Sequence, residues 1–253
     1  MKHAKRHPLI FGTIILTATG LITRVIGFFY RIYLSRLFGE EGMGIYQLLS
    51  PALSLSFSLT AAGYQTAISK YVAADSAKRP SGNLKPLLAG ISITLPLSLV
   101  TNAILFFSAD PIGIFLLKDH RTVPMLRILS FSVPFAALHA CINGYFYGKK
   151  KASVPALTQL LEQLARVSCV FLVTGADLAE GRTPSINAAV LGLTVGEIFS
   201  MLIALVCLYI HLYPDSSILS LQNICPSVPV YRDLLGMALP LTANRIVLNI
   251  LQS

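Results

Sequence analysis

Seven apolar stretches dominate this sequence, and each is long enough to cross a lipid bilayer as a helix. Charged residues make up only 12% of the 253 residues, against about 25% in an average soluble domain. A soluble fold would therefore expose far too much apolar surface. We predict an all-α, polytopic helical membrane protein. The seven segments cover about residues 9–34, 44–72, 87–107, 123–147, 154–174, 185–211 and 231–253.

The loops between these segments differ in their content of basic residues. One set of loops carries eleven Lys and Arg residues and the other set carries five. Because an excess of Lys and Arg marks cytoplasmic loops, we expect a multi-pass protein of the bacterial cell membrane with a cytoplasmic N-terminus. About half of the basic residues lie in these cytoplasmic loops, so the net charge of +9 does not indicate that the protein binds nucleic acid. The richer set is Lys2, Lys5, Arg6, Lys70, Lys78, Arg79, Lys85, Lys149, Lys150, Lys151 and Arg232.

The longest polar stretch divides the chain into three parts. Residues 1–212 are predicted to form an N-terminal lobe of six membrane-spanning helices, and residues 213–230 a cytoplasmic linker rich in proline and serine. Residues 231–253 then form the truncated first helix of a second lobe, and we expect the natural protein to continue. Pro51 and Pro134 fall inside predicted helices, where proline often marks a bend.

The first segment contains an arginine where a spanning helix is usually apolar. A charge at the centre of a bilayer costs about 3 kcal/mol on insertion scales, so Arg24 is expected to face a polar cavity or a partner. Helical spacing places Arg31 near the same face. This face of the helix therefore carries two cations.

The fifth segment carries a polar stripe. Gln159, Glu162, Gln163 and Arg166 lie at offsets of zero, three, four and seven, which is one helix face. Glu162 and Arg166 are four residues apart and are predicted to form an ion pair, which lowers the cost of both charges. Two interpretations stay open: a structural ion pair that joins helices, or a face that lines the same cavity as Arg24.

The sixth and seventh segments contain further polar groups. Glu197 lies near the middle of the sixth segment, where it either neutralises an arginine or binds a proton or another cation. Arg245 and Asn249 share one face of the seventh segment. His139 lies on an apolar face of the fourth segment, and we interpret it as a structural residue outside the site.

We place three arginines, Arg24, Arg166 and Arg245, well inside the membrane, against two carboxylates, Glu162 and Glu197. Guanidinium binds phosphate through two parallel hydrogen bonds and stays protonated, so this balance favours an anionic substrate such as a pyrophosphate. The cysteines are scattered without metal-ligand spacing, and no phosphate-binding loop or nucleophile triad is present. We therefore expect no metal, no cofactor and no enzyme activity.

One long motif carries a family resemblance. The stretch TRVIGFFYRIYLSRLFGEEGMGIYQLLSP at residues 23–51, with AISKYVA at 67–73 and FYGKKK at 146–151, resembles the polysaccharide-biosynthesis branch of the multidrug/oligosaccharidyl-lipid/polysaccharide exporter superfamily. The resemblance implies two six-helix lobes around a central cavity. Arg24 falls on an arginine that lines this cavity in related lipid II flippases, and Arg31 lies one position from a second.

The resemblance also implies a function. Such a protein would flip an undecaprenyl-pyrophosphate-linked oligosaccharide or a lipid II-like precursor, here for spore-cortex peptidoglycan, in contact with membrane lipids and cell-wall synthesis proteins. Two alternatives remain. A cation-coupled multidrug exporter of the same superfamily would require Glu162 or Glu197 at its centre, and a non-transporting membrane scaffold would tolerate the loss of every cavity charge.

Overall fold

A computed structural model describes residues 8–78, 84–213 and 226–252. This part of the chain is built from ten α-helices with two short π-helical turns, Ser58–Ala62 and Ile112–Leu116, and contains no strand. The helices are α1 (Pro8–Leu48), α2 (Ser50–Phe57), α3 (Gly63–Lys78), α4 (Lys85–Phe107), α5 (Ala109–Pro111), α6 (Thr122–Ser130), α7 (Ser132–Gly148), α8 (Ser153–Ala179), α9 (Asn187–Leu212) and α10 (Val228–Gln252).

By length and composition, five stretches of the described residues are apolar enough to cross a membrane. The first, Gly12–Ser76, covers the first two predicted segments except residues 9–11, and the next four match the third to sixth segments within a few residues. Helix α10 covers the seventh. The prediction of an all-α, polytopic membrane protein is therefore confirmed. The other four stretches are Lys85–Phe107, Thr122–Gly148, Ser153–Ala179 and Asn187–Leu212.

Most of the predicted linker, residues 214–225, lies outside the described residues. Helix α10 begins at Val228, so the last three residues assigned to the linker are helical instead.

Two prolines and one glycine interrupt the spanning segments. Pro51 and Pro134 lie in the first turn of α2 and α7, and the single residue before each of these helices keeps helical φ and ψ. Proline has no backbone N–H to donate, and the first turn of a helix is where that donor is not needed. Gly39 breaks α1 with a φ of +68°, a conformation that favours glycine.

Helix α7 lies at the centre of the packing and is buried along most of its length. The C-terminal half of α7 contributes to an apolar core, where Ile142 and Phe146 pack with Ile68 of α3 and Leu87 of α4. Gly144 allows α3 to approach closely, because a Cβ there would lie 2.6 Å from the Gln65 carbonyl oxygen.

Helices α8 and α9 also pack unusually closely. A Cβ at Gly192 would lie 2.5 Å from Val170 Cγ2 and 3.0 Å from the Arg166 carbonyl oxygen, and one at Gly196 would lie 3.1 Å from the Glu162 carbonyl oxygen. These two glycines bring the polar stripe of α8 against the middle of α9.

Helix α1 runs parallel to α8 along one edge of the lobe. A Cβ at Gly27 would lie 3.6 Å from Gln163 Nε2, and the Tyr33 hydroxyl lies 2.8 Å from Thr174 Oγ1. Helix α10 packs instead on α3 and α4, where Leu234 and Ala238 join the apolar core. The helix assigned to a second lobe therefore contacts the first lobe directly.

Candidate functional site

Four ionisable side chains from α7, α8 and α9 meet in the interior of the lobe, and we call them the central cluster: His139, Glu162, Arg166 and Glu197. Ligand atoms of His139, Glu162 and Glu197 all lie within 4.8 Å of one another. The close approach of α9 at Gly196 accounts for this meeting, because it places the turn that carries Glu197 against Glu162.

The predicted ion pair within α8 is confirmed. Arg166 Nη2 donates to Glu162 Oε1 at 2.5 Å, and the two side chains are only 19% and 17% exposed. Arg166 Nε is buried without a hydrogen-bond partner. Since an unpaired charge at this depth is strongly destabilising, the pair neutralises both groups.

His139 is hydrogen-bonded on both ring nitrogens. Asn143 Nδ2 donates to Nε2 at 2.8 Å, and the Thr158 hydroxyl lies 3.1 Å from the same nitrogen. The neutral ring is then protonated on Nδ1, which faces Ser200 Oγ at 3.0 Å and Glu197 Oε2 at 3.6 Å. The sequence interpretation left His139 out of the site, because a lone histidine on an apolar face is more often a structural residue.

Two cavities meet at the central cluster. The larger, of about 340 Å³, is lined by Arg166 together with Ser54 of α2 and Ser132 of α7. The smaller, of about 230 Å³, is lined by Gln159, Glu162 and His139. Glu197 lines both cavities, so its carboxylate lies between them.

A histidine and two carboxylates form a donor set that suits a divalent transition metal. In this cluster, however, the guanidinium of Arg166 already contacts the Glu162 carboxylate. A second cation would have to replace or repel Arg166, which opposes metal binding.

The basic face of α1, defined by Arg24 and Arg31, differs from the central cluster. Both side chains are exposed, and the structure records no ion pair for either among the described residues. Neither lines one of the two cavities at the cluster. Two members of the polar α8 stripe approach this helix: Gln163 lies beside Gly27, and Arg166 interacts electrostatically with Tyr30 and Tyr46 of α1.

Arg245 lies neither in the central cluster nor on the basic face of α1. It lines a cavity of about 400 Å³ between α10 and the second spanning segment, with Ser58 and Thr66. Two hydrogen bonds connect α10 to that segment: Asn249 Nδ2 donates to Ser58 Oγ at 2.6 Å and to the Ser54 carbonyl oxygen at 3.2 Å. The recorded contacts therefore do not bring Arg24, Arg166 and Arg245 together.

A separate ion-pair network joins helix ends outside the apolar segments. Arg121, before α6, contacts Glu41 of α1 at 2.8 Å and Asp119 at 3.0 Å. Hydrogen bonds from the Arg121 side chain and backbone hold the pKa of Asp119 below its usual value. This network connects the end of α1 to the loop before α6.

Comparisons with known proteins agree with this architecture. Residues 9–253 match the family described as polysaccharide biosynthesis protein. The chain is 34% identical over 240 residues to stage V sporulation protein B of Bacillus subtilis (strain 168), covering 94% of this chain and 46% of that protein. It is 27% identical over 179 residues to the lipid II flippase MurJ of the same organism, covering 67% of this chain and 32% of MurJ.

Among solved structures, an outward-facing multidrug resistance MATE family transporter of the MOP superfamily superposes with a TM-score of 0.71 at 16% identity. The match covers 96% of this chain and 53% of that one. At this identity the likeness concerns the fold. The chain spans about half the length of stage V sporulation protein B and about a third of the length of MurJ.

Proposed function

Since this chain belongs to the polysaccharide biosynthesis family within the multidrug/oligosaccharidyl-lipid/polysaccharide (MOP) superfamily, we propose that the whole protein is a lipid flippase. It translocates an undecaprenyl-pyrophosphate-linked precursor of peptidoglycan or another polysaccharide across the cell membrane. The resemblance to a sporulation protein supports a role in the spore cortex, in contact with cell-wall synthesis proteins.

The observation that carries this proposal is the set of arginines without an acidic partner in apolar helices. Arg24, Arg31 and Arg245 have no recorded ion pair among the described residues, whereas Arg166 is neutralised by Glu162. Keeping three uncompensated cations in such helices is costly. A pyrophosphate group supplies the missing negative charge and accepts the paired hydrogen bonds of guanidinium.

The three arginines lie on two helices, Arg24 and Arg31 on α1 and Arg245 on α10, and we propose that the lipid-linked substrate meets them as the lobes move. The basic face of α1 and the cavity at Arg245 then act at different stages of transport. Movement of one lobe against another around a substrate is a common mechanism in transporters built from two lobes. No covalent step is needed, which agrees with the prediction of a transporter rather than an enzyme.

The second candidate is a cation-coupled multidrug exporter, and the central cluster favours it. Glu162 and Glu197 line internal cavities, as the binding site of a cationic drug would require. The two candidates differ in which residues are essential. Lipid flipping depends on Arg24, while drug export depends on Glu162 or Glu197 and tolerates the loss of Arg24.

The test is flipping by the whole protein in reconstituted vesicles that contain a fluorescent pyrophosphate-linked oligosaccharide lipid. Arg24→Ala should lower the flipping rate by about 10- to 10²-fold, since one lost charge-assisted phosphate contact costs roughly 1.5–3 kcal/mol. The matched control is Arg36→Ala, which removes an exposed arginine from the same helix without a recorded ion pair among the described residues.

The control should flip lipid at the wild-type rate. Full activity of Arg24→Ala would contradict the flippase proposal. Drug efflux that Arg24→Ala retains and Glu162→Gln abolishes would establish the exporter instead. Wild-type function in a strain whose protein lacks all of these charges would establish a scaffold.

A further inference from the structure

The larger of the two cavities at the central cluster is lined by hydroxyl groups, and we call it the hydroxyl cavity. Its lining includes Ser54, Ser56 and Thr60 of the second spanning segment and Ser132 of α7. Phe57 and other apolar side chains complete the lining. Its volume of about 340 Å³ lies within the range of small-ligand sites, roughly 300–1,000 Å³.

The four hydroxyl groups have already used their protons. Each one donates to a backbone carbonyl three or four residues earlier, at distances of 2.7–3.0 Å. A hydroxyl oxygen in this state keeps lone pairs and can only accept a further hydrogen bond. The Glu197 carboxylate, which also lines the cavity, adds more acceptors. A ligand of this cavity must therefore donate hydrogen bonds.

Arg166 adds the opposite requirement. Its Nη2 already donates to Glu162, but its Nε is buried and has no hydrogen-bond partner among the described residues. Arg166 also lines the hydroxyl cavity. A buried donor without a partner costs free energy, and a ligand atom that accepts its hydrogen bond removes this cost. The ligand must therefore accept at least one hydrogen bond as well.

These two requirements separate three classes of ligand. An ammonium group only donates, and the Arg166 guanidinium repels it. An ionised pyrophosphate only accepts, and the Glu197 carboxylate repels it. Hydroxyl and acetamido groups carry no charge and do both.

From this pattern of donors and acceptors we propose that the hydroxyl cavity binds a sugar residue of the lipid-linked substrate. The proposal rests on the proposed function, because it assigns the carbohydrate part of that substrate to a site of its own. Hydroxyl groups of the sugar donate to Ser54, Ser132 and Glu197 and accept from Arg166 Nε. The ring of Phe57 supplies an apolar surface for the carbon atoms of the sugar.

The position of the hydroxyl cavity fits a sugar that is attached to a pyrophosphate. The Ser54 side chain lines the hydroxyl cavity, while the Ser54 carbonyl oxygen accepts from Asn249 Nδ2 at 3.2 Å. Asn249 lines the cavity that contains Arg245. A pyrophosphate at Arg245 would therefore have its first sugar next to the hydroxyl cavity. Ser50 and Phe57, which also line it, are exposed, so a sugar can enter from the side of α2.

The first experiment measures sugar binding by the purified whole protein in detergent, using saturation-transfer NMR. The probe is N,N′-diacetylchitobiose, a neutral disaccharide without phosphate or lipid. The double variant Ser54→Ala/Ser132→Ala should bind it about tenfold more weakly, since each lost neutral hydrogen bond weakens binding roughly two- to tenfold.

The matched control is Ser98→Ala in α4. Ser98 Oγ makes the same kind of hydrogen bond, to the Leu95 carbonyl oxygen at 2.8 Å, but Ser98 does not line the hydroxyl cavity. This variant should bind the disaccharide as the wild type does. If the double variant does not fold, Ser54→Ala and Ser132→Ala are measured separately, and each should weaken binding two- to tenfold relative to the control.

Competition distinguishes the three classes of ligand. Neither inorganic pyrophosphate nor the tetraphenylphosphonium cation should displace the disaccharide. Displacement by pyrophosphate would show that the cavity binds phosphate, and displacement by the cation would show that it binds cationic drugs. Either result contradicts the sugar site.

The second experiment compares two fluorescent lipids in the flippase vesicles. Both carry the same isoprenoid pyrophosphate, but only one carries the disaccharide. The wild type should flip the sugar-bearing lipid faster, and Ser54→Ala/Ser132→Ala should lose about tenfold of this preference, because a site that bonds hydroxyl groups discriminates against a substrate without them. Ser98→Ala should keep the preference, and Arg24→Ala should slow both lipids by the same factor.

The outcomes separate this proposal from the proposed function. Disaccharide binding that the serine changes weaken, without flipping of either lipid, contradicts the flippase and leaves the sugar site in place. Flipping of both lipids at equal rates by the wild type contradicts the sugar site and leaves the flippase in place. Disaccharide binding that neither serine change weakens also contradicts the sugar site.

Discussion

The central cluster and the basic face of α1 differ in whether their charged side chains have partners of opposite charge. In the cluster, Arg166 and Glu162 are largely buried and lie within 2.5 Å of each other, and Glu197 faces a histidine. On α1, Arg24 and Arg31 are exposed and have no recorded acidic partner in the described part of the chain. Charges compensated within the fold need no further partner, whereas uncompensated ones are available to a ligand.

The largest expected loss of stability comes from removing one partner of the Glu162–Arg166 ion pair in the central cluster. Arg166→Met should lower the free energy of unfolding by about 3–5 kcal/mol, because it leaves Glu162 buried without its partner. Thermal unfolding of the detergent-solubilised protein measures this change. The double variant with Glu162→Gln should recover most of the loss.

The matched control for that change is Arg24→Met, which removes a charge from the basic face of α1. Its unfolding free energy should stay within about 0.5 kcal/mol of the wild type, as at other exposed sites. Equal destabilisation by Arg166→Met and Arg24→Met would remove the distinction between the two regions.

The next largest change in stability is expected from glycines at which helices pack closely or do not pack at all. Gly192→Ala should lower the unfolding free energy by about 1–3 kcal/mol, because its Cβ would lie 2.5 Å from Val170 Cγ2 and force α8 and α9 apart. Gly20→Ala on α1 meets nothing within 4 Å and should stabilise its helix by roughly 0.5–1 kcal/mol. The two melting temperatures measure the contrast, and a stable Gly192→Ala variant would show that the close approach is not required.

The smallest effect lies outside the membrane segments, where Arg121 holds the pKa of Asp119 below its usual value. A carboxyl with a lowered pKa stabilises the fold above its pKa in the unfolded chain, about 3.9, and loses this contribution as the pH falls through its folded pKa. Asp119→Asn should therefore lower the melting temperature slightly at neutral pH and not in strong acid. The effect is small because both side chains are solvent-screened; a difference that grew towards low pH would contradict it.

The helices and their approximate ends were predictable because apolar length and composition are local properties of the sequence. The Glu162–Arg166 pair was predictable for the same reason, since residues four apart on a helix are neighbours. The sequence also indicated interruptions at Pro51 and Pro134, and α2 and α7 begin one and two residues before these prolines. Proline restricts the local backbone, so its effect can be predicted from the sequence.

By itself the sequence determined the membrane class, the helices, the polar stripe of α8 and the excess of arginine over carboxylate. Only the tertiary structure decided that His139 meets Glu197, that Arg166 lies with them, and that Arg245 lies in a different cavity. These pairings join residues that are distant in sequence, and they depend on the depth at which one helix lies against the next. Here the close approach at Gly192 and Gly196 sets that depth, and no helical periodicity encodes it.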